Sequence, residues 1–190
     1  MKLNFGCGEF KKEHFINVDN NPVVHPDLLL DLNKIPYTFE DNSIDRIEAD
    51  HVLEHLYEPF IVMREWWRIL KPSGLLVVRV PHYTRGFTHP DHKRGFDVTF
   101  PCYFNPHFAK SSYTGIPFKL QKVRFHWFAQ PLLKRKVLSW PTVSIATMIG
   151  SVIDSFANLS PYFCSKIWCF WVGGFDEIEF RFKPQKRPSP

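Results

Sequence analysis

The stretch KLNFGCGEF, residues 2–10, decides the fold: an apolar run ends abruptly in Gly6-Cys7-Gly8. Glycine takes φ > 0 freely and carries no Cβ, so Gly-x-Gly after a strand lets the backbone turn tightly and approach a bound molecule. Glycine punctuates turns of every kind, so the pair alone is a weak sign. Its meaning depends on the segments downstream of it.

Short apolar runs recur at 16–20 (INVDN), 27–32 (DLLLDL), 45–50 (DRIEAD) and 74–81 (GLLVVRVP), and with 2–6 they predict five strands. Between the last two lies YEPFIVMREWWRILKPSG, residues 57–74, with Pro59 suited to a first helical turn and apolar side chains at helical spacing. Lys71-Pro72-Ser73-Gly74 is expected to end that helix. Alternating strand and helix predicts a doubly wound α/β domain with a mostly parallel sheet. Further on, FKLQKVRFHWF (118–128) and FDEIEFRFK (175–183) alternate as strands do and are expected to pair antiparallel at the sheet edge.

A chain of 190 residues, 44% hydrophobic, suffices for one packed domain, expected over 1–183 with a flexible tail at 184–190. Cys7, Cys102, Cys164 and Cys169 lack both Cys-x-x-Cys and zinc-type spacing, which argues against a disulfide framework and a structural zinc site. The first residues already read as a core strand, leaving no room for a signal peptide, so the expectation is a cytoplasmic protein with reduced thiols. The formal net charge of +5 permits contact with nucleic acid or an anionic membrane without requiring either. Residues 82–117, rich in His, Phe and Pro, are too long for a passive connection and are expected to form a lid or acceptor loop. An insertion at 129–174 carries WPTVSIATMIGSVIDSFANL, which Asp154 keeps short of the about 18 uninterrupted apolar residues of a spanning helix. It is expected to be a helix packed on the domain, with peripheral membrane contact through 140–158 as the alternative.

In an open α/β sheet a ligand sits beyond the carboxyl ends of the strands, where the order reverses. The first four strand ends here supply Gly6-Cys7-Gly8, Asp19, Asp31 and Asp50-His51. A carboxylate at the end of the second strand is placed to accept hydrogen bonds from a ribose diol, and Asp19 stands there. The linked motifs LNFGCGEF, INVDNN, LLLDLNKIPYTFEDNSIDRIEADHVLEHL and REWWRILKPSGLLVVRVPHY resemble the class I S-adenosylmethionine-dependent methyltransferases, in particular a small, type-11-like branch with a shortened first helix. The resemblance spans roughly residues 2–83 and implies a Rossmann-like α-β-α sandwich with S-adenosyl-L-methionine as cofactor. It implies that Phe5, Gly6, Cys7 and Gly8 lie against the methionine part and that Asp19 holds the ribose hydroxyls. Asn20 then lies beside the adenosine, Asp31 and Leu32 by the adenine, and Asp50 and His51 nearest the sulfonium. This chain departs from the family pattern at Asn4, often acidic, at Phe10, often a third glycine, and in the lost helix between the first two strands. The amino-acid end of the cofactor is therefore expected to need cover from elsewhere, from the 82–117 loop. The missing third glycine and helix also count against a dinucleotide, whose pyrophosphate needs a helix N-terminus.

Methyl transfer from a sulfonium is an in-line displacement, so the protein aligns the reactants and supplies a base where the acceptor is a hydroxyl or protonated amine. His51 and His82, each following a strand, are the candidate bases. His55 reads as structural. His82, His89, Asp91 and His92 read as part of an acceptor lid rather than a metal site, for want of a ligand on a rigid element. The expected acceptor is a saccharide or small molecule on family analogy. The alternatives are RNA, a non-catalytic binding module of the same fold, and a metal-dependent hydrolase using the histidine loop.

Overall fold

The computed structural model describes residues 1–86, 89–108 and 113–186. Its seven strands are β1 (Lys2–Phe5), β2 (Ile16–Asp19), β3 (Leu28–Leu29), β4 (Ile44–Asp50), β5 (Leu70–Pro81), β6 (Phe118–His126) and β7 (Glu177–Pro184). They form one sheet in the order β3-β2-β1-β4-β5-β7-β6. The first five run parallel, and β7 inserts antiparallel between β5 and β6. The expected α/β class and the antiparallel edge pair are both present. The order reverses between β1 and β4, which places the ligand crevice at their carboxyl ends.

Helix α1 (Pro59–Ile69) is the crossover from β4 to β5, with Pro59 at its start. Its face of Val62, Met63, Trp66 and Ile69 is buried, and the Trp66 ring stacks on Phe5 at 5.6 Å. The helix ends at Ile69, and residues 71–74 open β5 instead of closing α1. Gly74 permits this, because a Cβ there would meet Leu70 Cδ2 and the Lys71 carbonyl, each at 2.9 Å.

No helix joins β1 to β2; residues 9–15 are a loop. Buried Asn17 organises it, accepting the Lys12 N–H and the Asn4 Nδ2 amide on Oδ1 at 2.8 and 2.9 Å. Its own N–H and Nδ2 both donate to Asp27, each at 2.8 Å.

The segment after β5 divides in two. Helix α2 (Tyr83–Gly86) and His89 to His92 flank the crevice, whereas Phe96, Val98, Phe100 and Phe104 enter the core, Phe100 lying 5.7 Å from Phe180 and Phe104 5.7 Å from Phe182. The expected acceptor loop is thus half core, because its phenylalanines contribute more by burial than as a mobile cover. Residues 87–88 and 109–112 of that loop, and 187–190 of the expected tail, lie outside the described residues.

The insertion folds into α3 (Pro131–Lys134), α4 (Trp140–Ala157) and α5 (Pro161–Lys166). Helix α4 buries only Val143, Gly150 and Ala157, seven residues apart. Asp154 and Asn158 tie it to β6 and the residue after it through the N–H groups of Trp127 and Phe125, at 2.6 and 2.8 Å. The opposite face leaves Trp140, Ile145, Met148, Ile149, Val152 and Phe156 exposed. Among the described residues no helix is long and apolar enough to cross a membrane.

Candidate active site

The site begins with Gly6, at φ +63°, where the chain leaves β1. A Cβ there would stand 2.1 Å from Val52 Cγ2, so the turn and its packing both require glycine. Gly8, at φ +49°, has open space where its Cβ would be, and its N–H donates to Asp19 Oδ2 at 2.9 Å. Asp19 Oδ1 accepts the Asn21 N–H at 2.9 Å, so the backbone fixes both oxygens at the end of β2. A carboxylate held this way is preorganised for a diol.

Three cavities meet at His51. The first, of about 280 Å³, is lined by Gly6, Asp19, Asn20, Asp31, Leu32 and His51. The second, of about 300 Å³, lies across Gly6 and is bounded by Asn4, Cys7, Asp50, Arg79, Glu177 and residues 130–133. The third, of about 410 Å³, is walled by His55, Arg85, His89, His92, Lys134 and Asp176. Asp19, Asn20, Asp31 and Leu32 thus share the first cavity, and Cys7 and Asp50 the second. Phe5 is different: its ring is wholly buried against Trp66 and Tyr37, so it contributes only backbone to the turn. Gln130 to Leu133 border the second cavity, which no described residue of 82–117 lines.

Asp50 is ion-paired with Lys12 and Arg79, each at 2.7 Å, and Lys12 also reaches Glu48 at 2.7 Å. Burial would raise the Asp50 carboxyl, but Arg79 and Lys12 outweigh it and hold it below the usual carboxylate range. Lys12 comes from the shortened loop, so the residues that replace the lost helix also tie down the end of β4.

His51 sits at φ +55°, turned out of the end of β4. Its Nε2 meets Glu177 Oε2 at 2.8 Å and its Nδ1 lies 3.4 Å from Glu54 Oε1. Burial alone would lower its pKa, yet the two carboxylates override that and raise it to about 9. His51 therefore holds a proton at neutral pH. His82, the other candidate base, is elsewhere: it is fully buried among Tyr83, Phe125 and Phe175, with its nitrogens bonded to Thr84 Oγ1 and Ser165 Oγ. Burial pushes its pKa down to about 4. It lines none of the three cavities and belongs to the core.

Glu177 and Glu54 are the residues that sequence reasoning missed. Glu177 opens a central strand and is buried there, and a charge at such a position was a readable signal. Glu54 lies inside HVLEHL and has no local signal, since its burial is created by the loop that folds over it.

A family profile described as a methyltransferase domain matches residues 12–78, which span β2, β3, β4, α1 and most of β5. No curated protein matches the chain. The structure is similar to a SAM-dependent methyltransferase from Archaeoglobus fulgidus, at TM-score 0.58 and 18% identity, over 96% of this chain and 85% of that one. It is also similar to an S-adenosylmethionine-dependent methyltransferase from Mesorhizobium loti, at TM-score 0.53 and 11% identity, over 96% and 89% of the two chains. At these identities the likeness speaks to the fold; the matched segment, which carries the Asp19, Asp31 and His51 corners, speaks to the class. Together they support an S-adenosylmethionine-dependent methyltransferase, with S-adenosylmethionine as its cofactor. The open space before Gly8 and the doubly fixed Asp19 carboxylate suit that cofactor, which presents a diol and no phosphate.

Proposed function

We propose that the chain methylates a hydroxyl or amine of a small, saccharide-like acceptor, with the cofactor's adenosine in the first cavity, its methionine part in the second and the acceptor in the third. The observation that carries this reading is the meeting of all three cavities at His51. In it, Asp19 binds the ribose hydroxyls, Asn20, Asp31 and Leu32 surround the base, and Gly6, Cys7, Gly8 and Asp50 shape the methionine side. The bound cofactor supplies an electrophilic methyl on a sulfonium. His51, in the fraction of molecules where it is unprotonated, takes the acceptor's proton, and Glu177 stabilises the imidazolium that results. Its raised pKa makes that fraction a stronger base than free imidazole.

A small acceptor is favoured over RNA because the cations around the crevice are already paired. Arg85 and Lys134 bond Asp176, Arg79 bonds Asp50 and Glu179, and Lys136 bonds Glu9. A phosphate backbone needs cations that are free to take it.

The test is calorimetric titration with S-adenosylhomocysteine, with NADH as control, on the wild type, Asp19→Ala and His51→Asn. The reading expects binding of the first ligand alone, weakened at least about tenfold by Asp19→Ala at about 1.5–3 kcal/mol per lost charged bond, and kept by His51→Asn. Unchanged affinity in Asp19→Ala would remove this assignment.

A further inference from the structure

Glu54 follows β4 in the turn beneath the third cavity and is wholly buried. Among the described residues, neither of its carboxylate oxygens has a hydrogen-bond partner. Oε1 lies 3.4 Å from His51 Nδ1, near enough to interact but without hydrogen-bond geometry, and 3.8 Å from His92 Nε2. Buried carboxylates are paired, hydrogen-bonded or bound to a metal; His51 sets a charge 3.4 Å from this one, but its oxygens lack a hydrogen-bond donor, which leaves them able to take a further ligand.

The surroundings fit one. His92 Nδ1 donates to the Gly86 carbonyl at 2.5 Å, and its Nε2 lies 3.8 Å from Glu54 Oε1. A histidine that ligates a metal is ordinarily oriented by such a bond from its other nitrogen. The His55 ring stands edge-on to His92 with centroids 4.9 Å apart. One donor atom each from Glu54, His55 and His92 lie within 4.8 Å of one another. The loop bearing His92 is fastened beside them, because Lys93 gives its N–H to the Glu54 carbonyl and its Nζ to the His55 carbonyl, at 3.0 and 2.7 Å. The fold therefore supplies the rigid partner that the loop histidines lack in the sequence. It also removes two members of the group read there: His82 is in the core and Asp91 is exposed.

We propose that Glu54, His55 and His92 form a binding site for a divalent transition-metal ion on the acceptor side of the crevice. Two imidazoles and one carboxylate select zinc, manganese or iron over magnesium or calcium, which prefer oxygen-only sets. Three protein ligands leave a position open, as catalytic metal sites do. His55 and His92 both line the third cavity, so that position faces the space assigned to the acceptor. On the methyl-transfer reading, on which this role rests, the ion would hold the acceptor oxygen beside His51. The site itself stands on the geometry of the three ligands alone.

The experiment uses the full chain, stripped with chelator and titrated calorimetrically with zinc chloride and with manganese chloride. One equivalent of one of these ions is expected to bind, at least about tenfold more weakly in Glu54→Gln and in His92→Ala, and unchanged in His14→Ala, a surface histidine away from the cluster. Each variant is also titrated with S-adenosylhomocysteine, which reports that the sheet and its first cavity are intact. Cobalt(II) absorption in wild type, lost in His92→Ala, would support the site even if Glu54→Gln failed to fold. Absence of stoichiometric binding, or binding that both ligand variants leave unchanged, would overturn it, and Glu54 would then serve only as a counter-ion for His51. Ligand-dependent metal binding in a chain that ignores S-adenosylhomocysteine would keep the site and remove the methyl-transfer role.

Discussion

Gly6 carries two constraints at once, a positive φ and the 2.1 Å approach to Val52 Cγ2. Gly6→Ala is therefore expected to destabilise the protein by at least about 2 kcal/mol, the left-handed backbone alone costing about 1–2. Denaturant unfolding checks this, and adding Val52→Ala should recover the packing part and leave the backbone part. His82 gives a pH signature. Its folded pKa of about 4 lies below the ordinary 6.5, so the folded state binds fewer protons than the unfolded chain between those values. Its contribution is complete above pH 6.5 and is lost as pH falls toward 4, amounting to about 3 kcal/mol. Unfolding curves at pH 7 and 4.5 should converge in His82→Gln relative to wild type; equal acid sensitivity would place the titration elsewhere. His51 shows what the sequence could and could not say at this scale. Its place after β4 was legible from the strand pattern. Its proton was not, because Glu177, which raises the pKa, arrives from a strand 126 residues away.

At the level of elements, each expected strand is present within a few residues, since alternation and strand-end glycines are local signals. The boundary between α1 and β5 is irregular: α1 ends at Ile69, and Lys71 to Gly74, which look like a helix stop, lie in β5 between the pairs Ile44–Leu70 and Arg46–Leu75, where the β4–β5 register shifts. The role of the Phe96–Phe104 stretch was invisible, because its partners on β6 and β7 are remote in sequence. Helix α1 is fixed to the sheet mainly through Trp66, and Trp66→Ala is expected to cost about 3–5 kcal/mol, read as a fall in denaturation midpoint. Helix α4 should respond asymmetrically. Gly150 has the Phe128 Cβ 3.2 Å from where its own Cβ would be, so Gly150→Leu should cost about 1–3 kcal/mol. Ile145→Ser and Val152→Ser, on the exposed face, should change stability by no more than about 0.5 kcal/mol.

For the molecule as a whole, that exposed face carries large apolar side chains, and Leu159, Tyr162, Phe163, Phe170 and Trp171 are exposed as well. Large exposed apolar surface marks interaction sites. The exposed Arg135 lies just before α4, and peripheral contact of this face with an anionic lipid surface is the prediction. Co-sedimentation with phosphatidylglycerol vesicles, weakened by the paired substitution Ile145→Ser and Val152→Ser, checks it; equal partition with and without vesicles would refute it. On a larger scale still, the absent helix between β1 and β2 bears on turnover. The rim of the first cavity is made of loop residues such as Asn20, Leu30 and Asn33, whereas the third opens among Arg85, His89 and Lys134. On the proposed placement of the cofactor in the first cavity and the acceptor in the third, the two enter from separate sides, and spent cofactor can be exchanged while the acceptor stays in place. Initial-rate kinetics should accordingly show random order, with S-adenosylhomocysteine competing against the methyl donor alone, and an acceptor carrying several hydroxyls could be methylated repeatedly without being released.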